Sequence, residues 1–466
     1  MDIYNLKFNT NLLSRKITDV FNEENINRIA IESGFIIRKG KIDGFIFLDM
    51  LLFTYFNHKE LSLNDLSSQL DERYSISITK QGIDERFKNT TIKFFTTVLE
   101  ELLQISSQNS KSIAFTQYEK VRIKDSTCFQ LPELMRDKYP GSGGSGSGAS
   151  IRIQFEYDLK TGEILDLSLN AFNKQDSIDA KETINEIQEN DLVIRDLAYT
   201  AIKNLQEIER KKAFYLNRLN TTIKVYELKS DSEYDEIDFP KLSNYMKKNK
   251  LMRLEKDVYI GGKKLKTRIV VEKLPEKIFS KRIRKAEKNA KKKGRKLGKD
   301  YKARAALNIF ITNTDLAAES VRVLYTIRWQ IELMFKIWKS IGEIDKIKKM
   351  KVLRFESYLL AKLIWIAINW QIMWSIIIYF FNERKLEISP YKMFKTFKLR
   401  LLKFRSALYG GIKSLSEYIN GIIKISPKNH KSEKKKNTLN WSYDIFNQLL
   451  NSNDNKLPIS ALQPLA

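Results

Sequence analysis

The sequence predicts an α/β protein that begins with a helical region. Residues 1 to about 115 read as helical almost throughout, whereas from about residue 116 short alternating apolar runs take turns with helical periodicity. Of 466 residues, 42% are hydrophobic and 11% aromatic, enough apolar material for more than one core.

In the helical region, "SLNDLSSQL" (62–70) suits a first helix, "DERYSIS" a turn, and "TKQGIDERF" (79–87) a second helix capped by Thr79. As a helix-turn-helix, this pair would present Lys80, Gln81 and Arg86 to a major groove; an ordinary helical hairpin accounts equally for the pattern. Next, Val121, Ile123 and Asp125 alternate on a strand near 118–125. "IRIQFEYDLKTGEILDLSLNAF" reads as a hairpin of strands 151–158 and 163–171 that turns at Lys160-Thr161-Gly162-Glu163. A helix near 177–189, an apolar strand "DLVIRD" (191–196), a helix near 200–212 and a strand "AFYLNRL" (213–219) follow. Three antiparallel strands, helix, strand, helix, strand is the order of the ribonuclease H-like fold. Residues 220–306 interrupt it with strand-like pieces ("TTIKVYEL", "DVYIGG", "TRIVVEKL") and a basic run, as an insertion would. "LNIFITNT" (307–314) then leads into a long helix expected from about 317 to 340.

Charge narrows the partner. With 82 Lys+Arg against 56 Asp+Glu the chain carries +26, which points to a polyanion, either nucleic acid or an anionic membrane surface. Residues 281–304 and 392–436 each hold 13 basic and 2 acidic residues, so these two segments carry most of the excess. One cysteine, Cys128, and two histidines, His58 and His430, exclude a disulfide framework and leave almost nothing for Cys/His zinc or Ser-His chemistry. Carboxylates with hard metal ions remain. The opening residues contain no uninterrupted apolar core, so no secretory signal is expected there. Residues 363–381 carry no charge and are long enough to span a bilayer; Asn369, Gln371 and Ser375 near their middle favour a buried core helix.

The chemistry concentrates in "YTIRWQIELMFKIWKS" (325–340). At about 100° per residue, Tyr325, Arg328, Glu332, Lys336 and Lys339 share an arc of roughly 80°, with Ile327, Ile331, Met334, Phe335 and Trp338 opposite. A plain amphipathic helix with a Glu332–Lys336 pair gives the same pattern. Asp125 and Asp196, however, stand near the ends of short apolar strands, where α/β sheets place their sites. Three such carboxylates suit Mg²⁺, and a two-metal site clamps the attacking and leaving oxygens of a displacement at phosphorus.

Tyr325-x2-Arg328-x3-Glu332-x6-Lys339 resembles, in all four residues and all three spacings, the Tyr-Arg-Glu-Lys signature of the insertion-sequence-four family of bacterial DDE transposases. Asp125 in "IKDST" and Asp196 in "IRDLAYT" resemble its other two carboxylate motifs, and "YPGSGG", "IQFEYDLKTGEIL", "FYLNRL" and "IFITNT" look like its bacillus-type subgroup. The resemblance covers most of the chain. It implies catalytic and metal-holding Asp125, Asp196 and Glu332, two Mg²⁺ ions with Mn²⁺ able to substitute, and DNA contacts from Tyr325, Arg328 and Lys339, with Lys336 beside them. It also implies excision and insertion of the chain's own element, with that element's terminal inverted repeats and target DNA as partners, a homodimer in the synaptic complex, no membrane, and a place at the bacterial nucleoid in the cytoplasm.

The expected division is then a helical DNA-binding domain at 1–115, a ribonuclease H-like core at 116–219 and 307–390, a β-rich basic insertion at 220–306, and a basic C-terminal region at 391–466. The Gly/Ser run "PGSGGSGSGAS" (140–150) becomes a loop between two core strands. Two features depart from the family: Ala198 stands where glycine is usual, and no tryptophan precedes residue 329, so Tyr226, Tyr259 or Phe310 would have to stack the base that hairpin-forming relatives flip. A ribonuclease H-like nuclease without strand transfer is the nearest alternative. A helix-turn-helix regulator is another, but it leaves the three carboxylates without a role.

Overall fold

The computed structural model describes residues 9–38, 40–54, 62–105, 117–141, 148–220, 222–230, 233–292, 294–384 and 386–433. His58, the centre of the Gly/Ser run (142–147) and residues 434–466 of the basic C-terminal region lie outside them.

In chain order the helices before the first strand are α1 (Thr10–Val20), α2 (Glu23–Glu32), α3 (Gly44–Asp49), α4 (Leu63–Tyr74), α5 (Lys80–Asp84) and α6 (Asn89–Leu103). Strands β1 (Val121–Leu131), β2 (Ala149–Asp158) and β3 (Ile164–Ala171) precede α7 (Asp176–Glu182), β4 (Leu192–Arg195), α8 (Ile202–Arg210) and β5 (Phe214–Arg218). Then come β6 (Val225–Ser230), β7 (Glu233–Glu236), α9 (Phe239–Lys248), β8 (Arg253–Ile260), β9 (Leu265–Lys273), α10 (Glu276–Lys292), α11 (Lys299–Ala305) and β10 (Leu307–Thr312). The chain continues through α12 (Ala318–Ile327), α13 (Trp329–Ser340), α14 (Val352–Arg384), α15 (Pro390–Leu399), α16 (Leu401–Tyr409) and α17 (Gly411–Asn429).

Two compact units result. The first gathers the described residues up to 105 with 126–173 and 330–433; the second gathers 117–125 with 174–329. The N-terminal helices are therefore not a unit of their own, because the C-terminal helices complete them. Asp49 shows how: fully buried, it accepts from Arg405 Nε (2.7 Å), Tyr74 Oη (2.6 Å) and Tyr409 Oη (2.6 Å), so that α3, α4 and α16 share one charge. An unpaired carboxylate there would cost several kcal/mol, so all three partners are required. The capping expected around the helical pair is present: Ser62 and Asp65 form a capping box on α4, and the Thr79 side chain accepts from Gly82 N on α5. Yet α5 ends at Asp84, far short of the nine-residue helix expected, and Arg86 lies beyond it, donating to the Ile42 carbonyl at 3.4 Å.

The apolar run at 363–381 lies in α14, where every residue from Phe355 to Met373 is buried. A helix apolar all round needs cover on every side. Here α6 and the β2–β3 hairpin belong to the same unit and supply some of it. Trp370 and Trp374 stack at 5.3 Å, and Tyr157 meets both edge-on. Trp370 Nε1 donates to the Gly162 carbonyl at 2.6 Å, at the turn predicted between β2 and β3. Asn369, whose polarity argued against lipid, returns its Nδ2 to the Trp365 carbonyl at 2.8 Å.

In the second unit the sheet runs β1-β4-β5-β10-β9-β8-β6-β7. The first half of β1 is parallel to β4, and β4 to β5; β10 is antiparallel to β5 and to β9. The strands of residues 220–306 thus extend the same sheet as β4 and β5. One core runs through both, joining Val193 and Tyr215 to Phe239, Met246, Val258 and Ile269. Sequence pattern missed β7 and α9. It also missed that Arg122 and Lys124 of β1 are buried, Arg122 against Asp191 (3.3 Å) and Lys124 against Asp179 (2.7 Å). Such buried ions persist only when paired.

Candidate active site

The last registered pair between β1 and β4 is Lys124 with Arg195. One step further along each chain stand Asp125 and Asp196. Neighbouring strands lie about 4.8 Å apart, so the backbones leave this last pair close together, with Asp125 and Asp196 each one residue past it at the C-terminal end of β4. Asp125 is still within β1; Asp196 precedes a 3₁₀ turn at Leu197–Tyr199 with an extended backbone that any residue can adopt. Ala198, where the family resemblance would put glycine, sits inside that turn and needs no special conformation.

Each aspartate is held by one residue from the end of α12 or just beyond it. Arg328 Nη1 donates to Asp125 Oδ2 at 2.7 Å, with 6% of the arginine side chain exposed and 18% of the aspartate. Tyr325 Oη donates to Asp196 Oδ1 at 3.1 Å. Burial, and then the Asp196 charge, push the Tyr325 phenol well above its ordinary pKa, so it remains a proton donor at neutral pH. Its ring rests on Phe310 with centroids 5.2 Å apart. Phe310 itself is 2% exposed, which removes it from the aromatics able to stack on a base. Tyr226 and Tyr259 face each other across β6 and β8, both part-exposed.

The long helix expected at 317–340 is broken. Helix α12 ends at Ile327 and α13 begins at Trp329, with Arg328 N bonded three residues back to the Tyr325 carbonyl at 3.2 Å. No proline or glycine accounts for this, and the break coincides with the Arg328 side chain turning onto Asp125. Consequently Glu332 occupies the first turn of α13, where the helix dipole favours a carboxylate. Glu332 and Lys339 are part-buried in the first unit, and Lys336 is exposed. Lys339 Nζ donates to the Cys128 carbonyl at 2.9 Å, so the signature lysine fastens the second half of β1. Among the described residues no three His, Cys, Asp or Glu side chains stand together as a metal-holding group. Asp125 and Asp196 are the pair that the strand register brings together.

Trp329 is the residue that sequence reading passed over. It is 59% exposed, unusual for an indole, and lies next to Arg328. A signal was there: at about 100° per residue it falls on the same arc as Tyr325 and Glu332. Of the N-terminal candidates, Lys80 and Gln81 are exposed, whereas Arg86 is part-buried. His430 is structural, its ring nitrogens 2.9 Å from Ser426 Oγ and Thr396 Oγ1, and burial lowers its pKa to about 4.

The donor set suits a divalent cation. Both aspartates offer oxygen alone, as Mg²⁺ prefers, and a guanidinium already supplies positive charge at Asp125. The sequence profile of the Transposase DDE domain family matches residues 117–369, which include all three carboxylates. The transposase for insertion sequence element IS1151 of Clostridium perfringens is 31% identical over 460 residues, covering 94% of this chain and 95% of that protein. The transposase for IS231B of Bacillus thuringiensis subsp. berliner is 29% identical, covering 91% and 92%. A piggyBac transposase synaptic complex with hairpin DNA covers 93% of this chain and 88% of its own at a TM-score of 0.43 and 13% identity, too remote to carry an argument. A profile spanning more than half of the chain, with a relative matched almost end to end at 31% identity, means that this chain belongs to the DDE transposases.

Proposed function

We propose that Asp125, Asp196 and Glu332 are the catalytic carboxylates of this DNA transposase and that Tyr325 and Arg328 guard two of them until DNA arrives. As a DDE transposase the chain is a metal-dependent enzyme of DNA cleavage and strand transfer. The observation that carries the assignment is the pairing of Arg328 with Asp125 and of Tyr325 with Asp196, two signature residues on two carboxylates at one strand end.

Asp125, Asp196 and Glu332 would hold two Mg²⁺ ions, with Mn²⁺ as a substitute. When bound, the ions supply an activated nucleophile and neutralise charge at phosphorus. The chain's own groups do the rest. Arg328 and Tyr325 balance or satisfy the aspartates in the resting enzyme, and their guanidinium and protonated phenol would donate to phosphate oxygens of bound DNA. Lys336 offers charge to the same strand, and Lys339 keeps β1 in place through Cys128. The finer reading is a ribonuclease H-like core acting on the terminal inverted repeats of the chain's own element and on target DNA, as a homodimer in the synaptic complex at the bacterial nucleoid. Lys80 and Gln81 at the exposed start of α5 would assist end recognition, with the part-buried Arg86, which donates to the Ile42 carbonyl, beside them.

The test is a cleavage assay on labelled element ends. Asp125→Asn, Asp196→Asn and Glu332→Gln should each lower Mg²⁺-dependent cleavage by about 10³-fold or more while end binding stays within about threefold. EDTA should abolish cleavage, and Ca²⁺ should fail to restore it. A variant that still cuts at near the parental rate takes its residue off the triad.

A further inference from the structure

Helix α10 carries a stripe of cations that no described carboxylate of its unit pairs. No residue of α10 is buried, and Lys277, Lys281, Arg284, Lys285, Lys288, Lys291 and Lys292 are all exposed. At about 100° per residue these seven cations fall within one arc of roughly 120°. The opposite side, with Phe279, Arg282, Ile283, Ala286 and Ala290, is the part-buried one. Arg282 anchors it, donating to the carbonyls of Ala305 and Leu307 and to Asn308 Oδ1, each at 3.1 Å. The helix is therefore held rigidly by one face and presents the other.

The neighbouring sheet handles charge differently. Lys224 pairs with Glu236 (2.6 Å), Lys229 with Asp235 (2.8 Å), Lys256 with Glu227 (2.5 Å) and Arg268 with Glu255 (3.2 Å). Among the described residues none of the seven α10 cations is in an ion pair, and the helix's own Glu287 turns to Lys302 of α11 (3.6 Å). Like charges three and four residues apart destabilise a helix, so such a stripe is costly unless a polyanion meets it.

We infer that α10 is a rail for the phosphate backbone of duplex DNA, gripping it without regard to sequence. Its 17 residues extend about 25 Å, the rise of roughly seven base pairs. Six of the seven cations are lysines, point charges that suit phosphates rather than the fork that reads guanine. The inference rests on the proposed function only for the identity of the polyanion, and it assigns the rail to any duplex the transposase engages, target DNA included.

The test uses the full chain without divalent metal. Lys281, Lys285, Lys288 and Lys292 are changed together to Gln, and binding to an unrelated 40-base-pair duplex and to an element-end duplex is followed by anisotropy across a salt series. The slope of log K against log[salt] should fall by about 0.9 for each phosphate no longer neutralised, hence by about three and a half units. Affinity for both duplexes should fall by the same factor, at least tenfold near physiological salt, with the melting temperature unchanged. Lys281→Gln/Arg284→Gln should show about half the effect, and Lys224→Gln/Lys229→Gln/Lys256→Gln on the sheet almost none. Unchanged slopes overturn the inference, and so does a fall in affinity confined to the element-end duplex. No cleavage step enters these measurements, so failure of the catalytic assignment leaves this test standing.

Discussion

From Phe355 to Met373 every residue of α14 is buried, whereas α10 buries none. Both are regular helices, and both were conspicuous in the sequence, one for lacking charge over 19 residues and the other for little but charge. The difference teaches where each helix gets its stability. Helix α14 is long and apolar enough to cross a membrane, yet the share of its apolar window buried within the protein is 83%, and its Asn369 and Trp370 find partners inside. Helix α10 gains little from burial and depends on Arg282, Phe279 and Ile283 to fix its orientation. Burial decides the first helix; one anchored face decides the second.

That contrast is broken most directly by placing the same charge in each helix. Ile368→Asp puts an unpaired carboxylate among apolar side chains at a fully buried position, and should cost about 4 kcal/mol or more, enough to unfold the first unit. Lys288→Asp on the α10 stripe should change the stability read by urea denaturation by less than about 0.5 kcal/mol. Comparable costs would mean that α14 is less enclosed than its burial indicates.

A smaller effect is expected where the β2–β3 turn meets α14. Gly162 has φ +75°, and a Cβ there would stand 1.9 Å from Trp374 Cδ1. Gly162→Ala should lose about 2–4 kcal/mol by denaturation, because both the backbone and the stacked indoles must shift. Tolerance of alanine would show that the Trp370–Trp374 stack yields easily.

The last effect concerns Lys362, a cation that α14 buries where α10 would expose it. Burial first, with Lys398 adding, lowers its pKa to about 8 against the pull of Glu343 and Asp345, while Nζ donates to the Glu343 carbonyl at 2.5 Å. The unfolded chain then binds more protons between about pH 8 and pH 10.4, so this residue's contribution improves as pH rises through that window and is at its worst below it. Relative to Lys362→Met, the parent should gain roughly 3 kcal/mol between about pH 7.5 and pH 10.5, read from urea midpoints. Parallel pH profiles would place the Lys362 ammonium in a more solvated site.

Much of this was legible in residue order. The alternation around Asp125 and Asp196, the turn at Gly162, the caps at Ser62 and Thr79 and the spacing from Tyr325 to Lys339 are local properties, set by backbone geometry and by which side chains tolerate water. The α14 burial was legible as well, from three polar residues in an apolar run. Errors arose where a distant partner overrides local preference. A continuous helix across 317–340 satisfied periodicity, but Arg328 turns onto Asp125, more than two hundred residues away in sequence, and the helix breaks there. Helix α5 likewise stops at Asp84, where periodicity ran on to residue 87.

What the sequence alone determined, then, is the order of strands and helices from β1 to β5 and the charge asymmetry, because each depends on composition and spacing along the chain. Tertiary structure alone decided that β1 pairs with β4 in parallel up to Lys124 with Arg195, that the inserted strands extend the core sheet, that Asp49 ties the N-terminal helices to α16, and that Lys229, Lys256 and Arg268 of the sheet are in ion pairs while, among the described residues, the seven exposed cations of α10 are not. The physical reason is common to all four. Pairing of strands and of ions depends on distances between residues remote in sequence, and only the folded backbone sets those distances.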